Sequence, residues 1–304
     1  MQENPLNIKI LLLIALCSLL IVAALILTTF FTTETKIVFC DVGQGDGAYI
    51  RVKNNVDIVI DSGQDMRILN CLGQYMPLYD RTIEFVFITH PQFDHMGGLS
   101  YILDRYRVKT LFINPIYVER TFFKTIVQKI QSQQMKVQFP EAGMLVGILD
   151  ARISFFWPTH SFLQTHLYPP THNGNLYSAY SDLNEFSLIF SFEESSHRVL
   201  FTGDATQSTL GEVITLYSNT IENPVYSEIL KTPHHGSPNG LSERFLEAVS
   251  PTFAVISVGK HNRYGHPSAS VIKMLEEHNI TVLRTDQRRD IVFTIANGKL
   301  LLRK

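Results

Sequence analysis

The stretch Thr89–Gly98, THPQFDHMGG, places two histidines and an aspartate (His90, Asp94 and His95) within six residues, with Gly97 and Gly98 behind them. Asp61, Asp204, His235 and His266 each follow an apolar segment and stand beside glycine, proline or serine. Imidazole and carboxylate donors gathered at strand ends suit a borderline or hard divalent cation such as zinc or manganese. Asp94 and His95 are neighbours, so their side chains diverge. His90 on one side and the Asp94–His95 pair on the other can serve two adjacent metals, which together activate water and polarise a phosphoryl or acyl oxygen. The third position of the cluster is Gln92, whose neutral amide is a weak donor.

The elements that must hold these residues can be read from pattern. Thr35–Cys40, Ala48–Val52 and Val56–Ile60 read as strands divided by the tight loop Gly43–Gly47 and the turn Lys53–Asn55. Arg81–Thr89 reads as a buried strand feeding the His90 cluster, with helices over Met66–Tyr75 and Leu99–Tyr106. Strands at Thr110–Ile113, Lys136–Phe139 and Arg152–Trp157 surround a helix over Arg120–Gln134. The polar stretch Pro158–Asp182 reads as a long loop, and its histidines His160, His166 and His172 as surface residues. Strands over Phe186–Phe192, Arg198–Thr202, Ile229–Thr232, Phe253–Val258 and Thr281–Arg284 then alternate with helices over Thr206–Tyr217, Ser242–Ala248 and Ala269–Glu277. A hairpin, Ile291–Ile295 with Leu300–Leu302, closes the chain. Hairpins followed by alternating β and α, twice over, predict two mixed sheets packed together with helices outside.

With 304 residues, 45% hydrophobic and 18% charged, the chain is long enough for a large core and too apolar for a disordered one. A formal charge of −2 offers no global electrostatic case for a nucleic-acid partner. Three cysteines exclude a disulfide scaffold or zinc ribbon, and Cys40 and Cys71 read as buried thiols. The uncharged run Ile10–Phe31 is long enough to cross a bilayer, about 33 Å at 1.5 Å per residue, and no cleavage site follows it. The expectation is one transmembrane signal-anchor over 10–31, a cytoplasmic tail over 1–9, and an extracytoplasmic domain over 36–304.

His90-x-Gln92-x-Asp94-His95 with Gly97-Gly98 resembles the signature of the metallo-β-lactamase fold superfamily. The whole of residues 36–304 resembles the hydrolase domain at the C-terminus of ComEC-type DNA-uptake proteins. Asp41–Asp46 (DVGQGD), Asp61-Ser62-Gly63, Asn184 with Ser187, Gly203-Asp204-Ala205, His234–Ser237 (HHGS) and Tyr264–Pro267 (YGHP) carry that likeness, in the group's order. The resemblance implies an αββα four-layer sandwich and one or two divalent ions. It implies His90, Asp94, His95, Asp204 and His266 as ligands, with Asp204 bridging, Asp61 orienting the histidine loop, and His235 contacting phosphate or donating a proton. Asp94, Asp204 and His235 are then the catalytic candidates. His234, Ser237 and Arg288 are further candidates for phosphate contact. Two departures matter: Gln92 stands where the superfamily has histidine and the ComEC group commonly aspartate, and Asn184 where many members have histidine. The first metal position is therefore depleted. The family's pattern also tends to glycine near Arg289.

These readings converge on a membrane-anchored, metal-dependent phosphodiester hydrolase, a nuclease in the leading version. The basic cluster Arg284–Arg289 supports it as a place to meet phosphates, a solvated turn being the alternative. The other functions carried by the residues are a phosphoesterase acting on a cell-envelope polymer of the phosphorylcholine or teichoic-acid type, and a degenerate scaffold that binds a partner without catalysis.

Overall fold

The computed structural model describes residues 5–31, 33–168, 176–179, 182–218, 220 and 223–303. The first sheet begins with β1 (Thr35–Phe39), β2 (Gly47–Val52), β3 (Val56–Ser62), β4 (Thr82–Phe87), β5 (Arg107–Phe112) and β6 (Lys136–Gln138). The second comprises β7 (Leu145–Ile148), β8 (Ala151–Trp157), β9 (Ile189–Glu194), β10 (His197–Phe201), β11 (Ile229–Lys231), β12 (Phe253–Ile256) and β13 (Thr281–Arg284). The hairpin β14 (Ile291–Ala296) and β15 (Lys299–Leu302) then returns to the first sheet. The strand orders are β15-β14-β1-β2-β3-β4-β5-β6 and β13-β12-β11-β10-β9-β8-β7. Both sheets are mixed, with β3 to β6 parallel in one and β10 to β13 parallel in the other.

The near-continuous apolar strands follow from burial on both faces. In β1, Ile37 and Phe39 enter the core between the sheets, while Val38, and Cys40 just past the strand, turn outward beneath helices. In β11, Ile229 faces inward and Leu230 outward. The outer layers are α2 (Arg67–Tyr75), α3 (Phe93–Met96), α4 (Leu99–Leu103) and α5 (Thr121–Ser132) on the first sheet, then α6 (His160–His166), α7 (Gln207–Tyr217), α8 (Glu243–Val249) and α9 (Ala269–Glu277) on the second, with the one-turn α10 (Thr285–Arg288) after β13. Helix, sheet, sheet, helix is the expected four-layer sandwich. The expected loop after Pro158 opens with α6, and His172 lies outside the described residues. Pattern missed β7, an edge strand with Leu145 and Gly147 exposed, whose glycine blurs any alternation.

Cys40 and Cys71 are not free thiols. The end of β1 and α2 share one outer core, which brings their Cα atoms to 5.8 Å, and the two are joined by a disulfide. The N-terminal helix α1 (Pro5–Phe31) covers the expected span, but its side chains are described only over 8–23, roughly 24 Å of helix. Among the described residues no helix is long and apolar enough to cross a membrane. Leu11, Leu12, Leu13, Ile14, Leu19 and Leu20 are all exposed.

The carboxyl ends of the parallel strands of both sheets open on one edge, where ligands collect in α/β sheets. β3 delivers Asp61 there, β4 the His90 cluster, β10 Asp204 and β11 His235. The opposite edge carries Thr35, where the chain enters β1, and a clasp between sheets, the half-buried Lys53 Nζ to the buried Glu194 Oε1 at 2.8 Å.

Gly98 locks the cluster onto β3. A Cβ there would lie 2.0 Å from the Ser62 carbonyl oxygen, and the Gly98 N–H donates to Gly63 O at 2.8 Å. Gly98→Ala should therefore cost about 1–3 kcal/mol as an overpacked backbone contact. Urea denaturation measures this; an unchanged midpoint would mean the loop has room that these distances deny.

Candidate metal centre

Asp61, the last residue but one of β3, has a left-handed backbone, φ 53°, which turns its carboxylate back over the strand. Fully buried, it accepts the Thr89 N–H and hydroxyl, each at 2.8 Å, and the His95 Nδ1–H at 2.9 Å. That bond fixes the tautomer and aim of His95 and leaves its Nε2 facing Asp204 Oδ1 at 3.3 Å. Asp204 follows β10 through Gly203, whose φ of 50° and 2.8 Å approach to Thr89 leave no place for a side chain. The Asp204 N–H donates to Ser187 Oγ at 3.1 Å.

β11 runs into the turn Pro233–Gly236, in which His234 and His235 are both left-handed, at φ 48° and 53°. Two such residues in succession throw the rings to opposite sides. His235 goes inward: its Nδ1–H donates to Ser257 O at 2.9 Å, and Asp46 Oδ1 stands 3.1 Å away. Its Nε2 lies 3.4 Å from Asp204 Oδ2 and 3.5 Å from Asp94 Oδ2. One donor atom each from Asp94, His95, Asp204 and His235 therefore falls within 4.8 Å of all the others. His95 Nε2, His235 Nε2 and Asp204 Oδ1 are buried without a hydrogen-bond partner among the described residues. Convergent buried donors left unpaired are what a cation satisfies, and two imidazoles with two carboxylates fit a four-coordinate divalent ion.

The electrostatics agree. Burial disfavours charge on His95, but Asp204 and Asp61 outweigh it and raise the proton affinity well above the usual histidine value. Burial is likewise outweighed at His235 by Asp204 and Asp46. Burial would raise Asp204, yet His235 and His95 hold it well below the carboxylate range. Asp94 is held low in spite of burial by His235 and His95. The field that makes these imidazoles attract protons is one that attracts a cation.

The remaining sequence candidates lie around this group. His90 is buried with its ring 4.2 Å from that of His95, its Nε2 unpaired among the described residues. Burial, reinforced by His95, pushes its pKa down to about 3. Beside it, the Gln92 side-chain N–H donates to Asn184 Oδ1 at 2.7 Å, so one hydrogen bond joins the two amides. His266 is half-buried and outside the four-donor group. Its ring faces His234 at 5.8 Å and stacks on the exposed Tyr264 at 5.9 Å. His234 Nε2 stands 3.8 Å from Asp204 Oδ2, on the open side. Ser237 is buried in the turn, its Oγ accepting from Asn239 N. Arg288 is exposed on α10, at the same edge of the second sheet. Arg289 has φ 62°, a backbone that favours glycine.

Two residues to which sequence reasoning assigned no role touch the centre from below. Asp46, named only within DVGQGD, meets Lys231 Nζ at 2.6 Å. The signal was available: Lys231 is a lysine at the end of an apolar strand, and such a lysine is rarely buried without a partner.

The chain matches the Metallo-beta-lactamase superfamily over residues 42–261. It is 26% identical over 283 residues to ComE operon protein 3 of Bacillus subtilis (strain 168), covering 88% of this chain and 34% of that protein. It is 33% identical over 117 residues to competence protein ComA of Neisseria gonorrhoeae, covering 38% of this chain and 16% of that one. The chain thus spans about a third of the length of the first of these curated relatives and matches less of the second. CmlA, a diiron β-hydroxylase from Streptomyces venezuelae, shares the fold, with a TM-score of 0.51 and 13% identity over 89% of this chain and 54% of that one.

His95 and His235, raised above the unfolded value near 6.5, stabilise the metal-free fold fully below that pH. The contribution is lost as pH rises through their folded values. His90, pushed down to about 3, titrates below this window. A cation competes with protons for the same Nε2 atoms, so its advantage grows as those protons leave. The gain in Tm on adding zinc or manganese should increase from about pH 6 to about pH 8.5. Differential scanning fluorimetry across that range checks it; a flat or falling gain would place the cation elsewhere.

Proposed function

The chain belongs to the metallo-beta-lactamase superfamily, in the company of ComEC-type hydrolases, and we propose that it is a metal-dependent phosphodiester hydrolase acting on nucleic acid. One observation carries this reading: the unpaired, converging donors of Asp94, His95, Asp204 and His235 at the open edge between the sheets. A divalent cation bound there supplies Lewis acidity toward a phosphoryl oxygen and lowers the pKa of water.

The protein's own groups do the rest. Asp204 faces His95 with one oxygen and His235 with the other, and so joins the two halves of the centre. Asp61 and Ser257 hold the outer nitrogens of the two imidazoles and keep both Nε2 atoms aimed inward. His234, with its Nε2 on the open side of Asp204, is placed to hold a proton for a departing oxygen. His266 and Arg288 flank that side as phosphate contacts. With His235 drawn into the four-donor group, His266 has the outer role rather than a ligand's. Nucleic acid as substrate rests on the likeness to DNA-uptake proteins, and on the exposed Arg288 and Arg289 at the same edge.

An N-terminal anchor over 10–31, ahead of a hydrolase domain over 36–304, is part of this reading. It rests on the uncharged run Ile10–Phe31 and on the exposed apolar side chains of α1. The Cys40–Cys71 disulfide supports an oxidising, extracytoplasmic compartment for the domain.

Asp204→Asn should lower the rate on single-stranded DNA and on bis-p-nitrophenyl phosphate by at least about 100-fold, and strip bound metal. A metallated, active Asp204→Asn enzyme would overturn this site. The paired amides of Gln92 and Asn184 leave His90 poorly supported as a ligand, so dialysed protein should retain close to one metal per chain. Gln92→His should move that ratio toward two. Elemental analysis decides it, two tightly held metals in the unaltered chain being the contrary result.

A further inference from the structure

Asp46 and Lys231 lie beneath the centre, and neither is a donor to it. Asp46 precedes β2 in the first sheet; Lys231 ends β11 in the second. Both are almost fully buried, at 4% and 3% exposure, and Lys231 Nζ meets Asp46 Oδ2 at 2.6 Å while donating to Thr232 O at 2.8 Å. The other carboxylate oxygen, Oδ1, lies 3.1 Å from His235 Nδ1; the N–H of that ring is donated to Ser257 O at 2.9 Å, and Oδ1, without a hydrogen-bond partner among the described residues, faces the imidazole as a bare charge. Asp46 Oδ2 is 3.9 Å from His95 Nδ1. Through its backbone, Asp46 reaches the histidine loop as well: its N–H donates to Asp94 O at 3.2 Å.

His95 thus has a carboxylate behind its outer nitrogen, Asp61, and His235 has another, Asp46. We propose that Asp46, neutralised by Lys231, is the positioning carboxylate of His235, and that the buried pair sets the spacing between the two sheets' contributions to the centre. A carboxylate behind a metal-binding imidazole fixes ring orientation and raises donor strength. An unpaired carboxylate would be too costly to bury there, so the lysine is required with it. Asp46, Asp61 and His95 are also close enough to form a second group of three donors, and Lys231 takes up one of the Asp46 oxygens. The inference rests on the reading that His95 and His235 hold a divalent metal.

Cobalt(II) binding to the full chain separates this role from that of a mere strut. Asp46→Asn keeps the shape and removes the charge; Asp46→Asn with Lys231→Met removes both charges and leaves no buried ion unpaired. Both forms should bind cobalt about 10- to 100-fold more weakly, with a shifted visible absorption band. The double variant should recover the metal-free melting temperature that the single variant loses. If the double variant binds cobalt as tightly as the unaltered chain, with the same spectrum, the pair is only a strut between the sheets and the proposal falls. Should the single variant fail to fold, the double variant decides alone. An unaltered chain that takes up no cobalt would instead remove the metal reading on which the proposal rests.

Discussion

Four carboxylates and three imidazoles occupy one nearly dry edge of the sandwich, and each carboxylate can be buried only where donors meet it. That requirement orders everything around it. Asp61 is met by Thr89 and His95 and Asp46 by Lys231, while Asp204, its backbone tied to Ser187, faces the two Nε2 atoms that a cation would join to it. Because these donors approach from below, the unpaired Nε2 atoms of His95 and His235 are left facing Asp204. The arrangement needs backbone that ordinary residues avoid: Asp61, His234, His235 and Gly203 all have positive φ. Strain of about 1–3 kcal/mol at a non-glycine position persists only where the surroundings over-determine it. The core between the sheets, with Phe39, Phe87, Phe155, Phe190 and Phe201 packed ring to ring, supplies that rigidity.

Much of this was legible before any coordinates. Period-2 patterning and continuous apolar runs located most strands, because strands buried on both faces must be apolar throughout. The donors were visible because histidine and aspartate at strand ends are poor choices for mere packing. What could not be read was which late histidine turns inward. His235 and His266 both follow apolar strands beside glycine, and only the left-handed pair His234–His235 sends His235 toward Asp204. The Cys40–Cys71 disulfide was hidden for a similar reason: the distance between a strand end and a helix is a property of packing, not of spacing in sequence. Arg289 shows a third limit, since its turn keeps a glycine-like φ of 62° without the glycine that would announce it.

The first metal position illustrates how a local substitution is absorbed. A single amide among ligands would be an unsatisfied buried group, but Gln92 and Asn184 meet each other at 2.7 Å and leave no orphan between them. The sandwich therefore tolerates their loss of donor strength without loss of order. At this position His90 is left with an unpaired Nε2 among the described residues, and its low proton affinity keeps it neutral. Shared architecture with a diiron enzyme at 13% identity says nothing of the ions this edge takes; the donors do.

The chain enters β1 at Thr35, on the edge opposite the centre, and the intervening strands run for up to seven residues. At about 3.3 Å per residue, the centre stands roughly 20 Å from the point of entry. If α1 lies in a bilayer, that length is a standoff built into the sandwich. With the strands upright on such a bilayer, lipid headgroups, and anything lying flat on them, would be out of reach. A polymer that rises clear of the surface, or is fed across it by a neighbouring machine, would be within range, so the height of the sheet would select substrates before any chemistry begins.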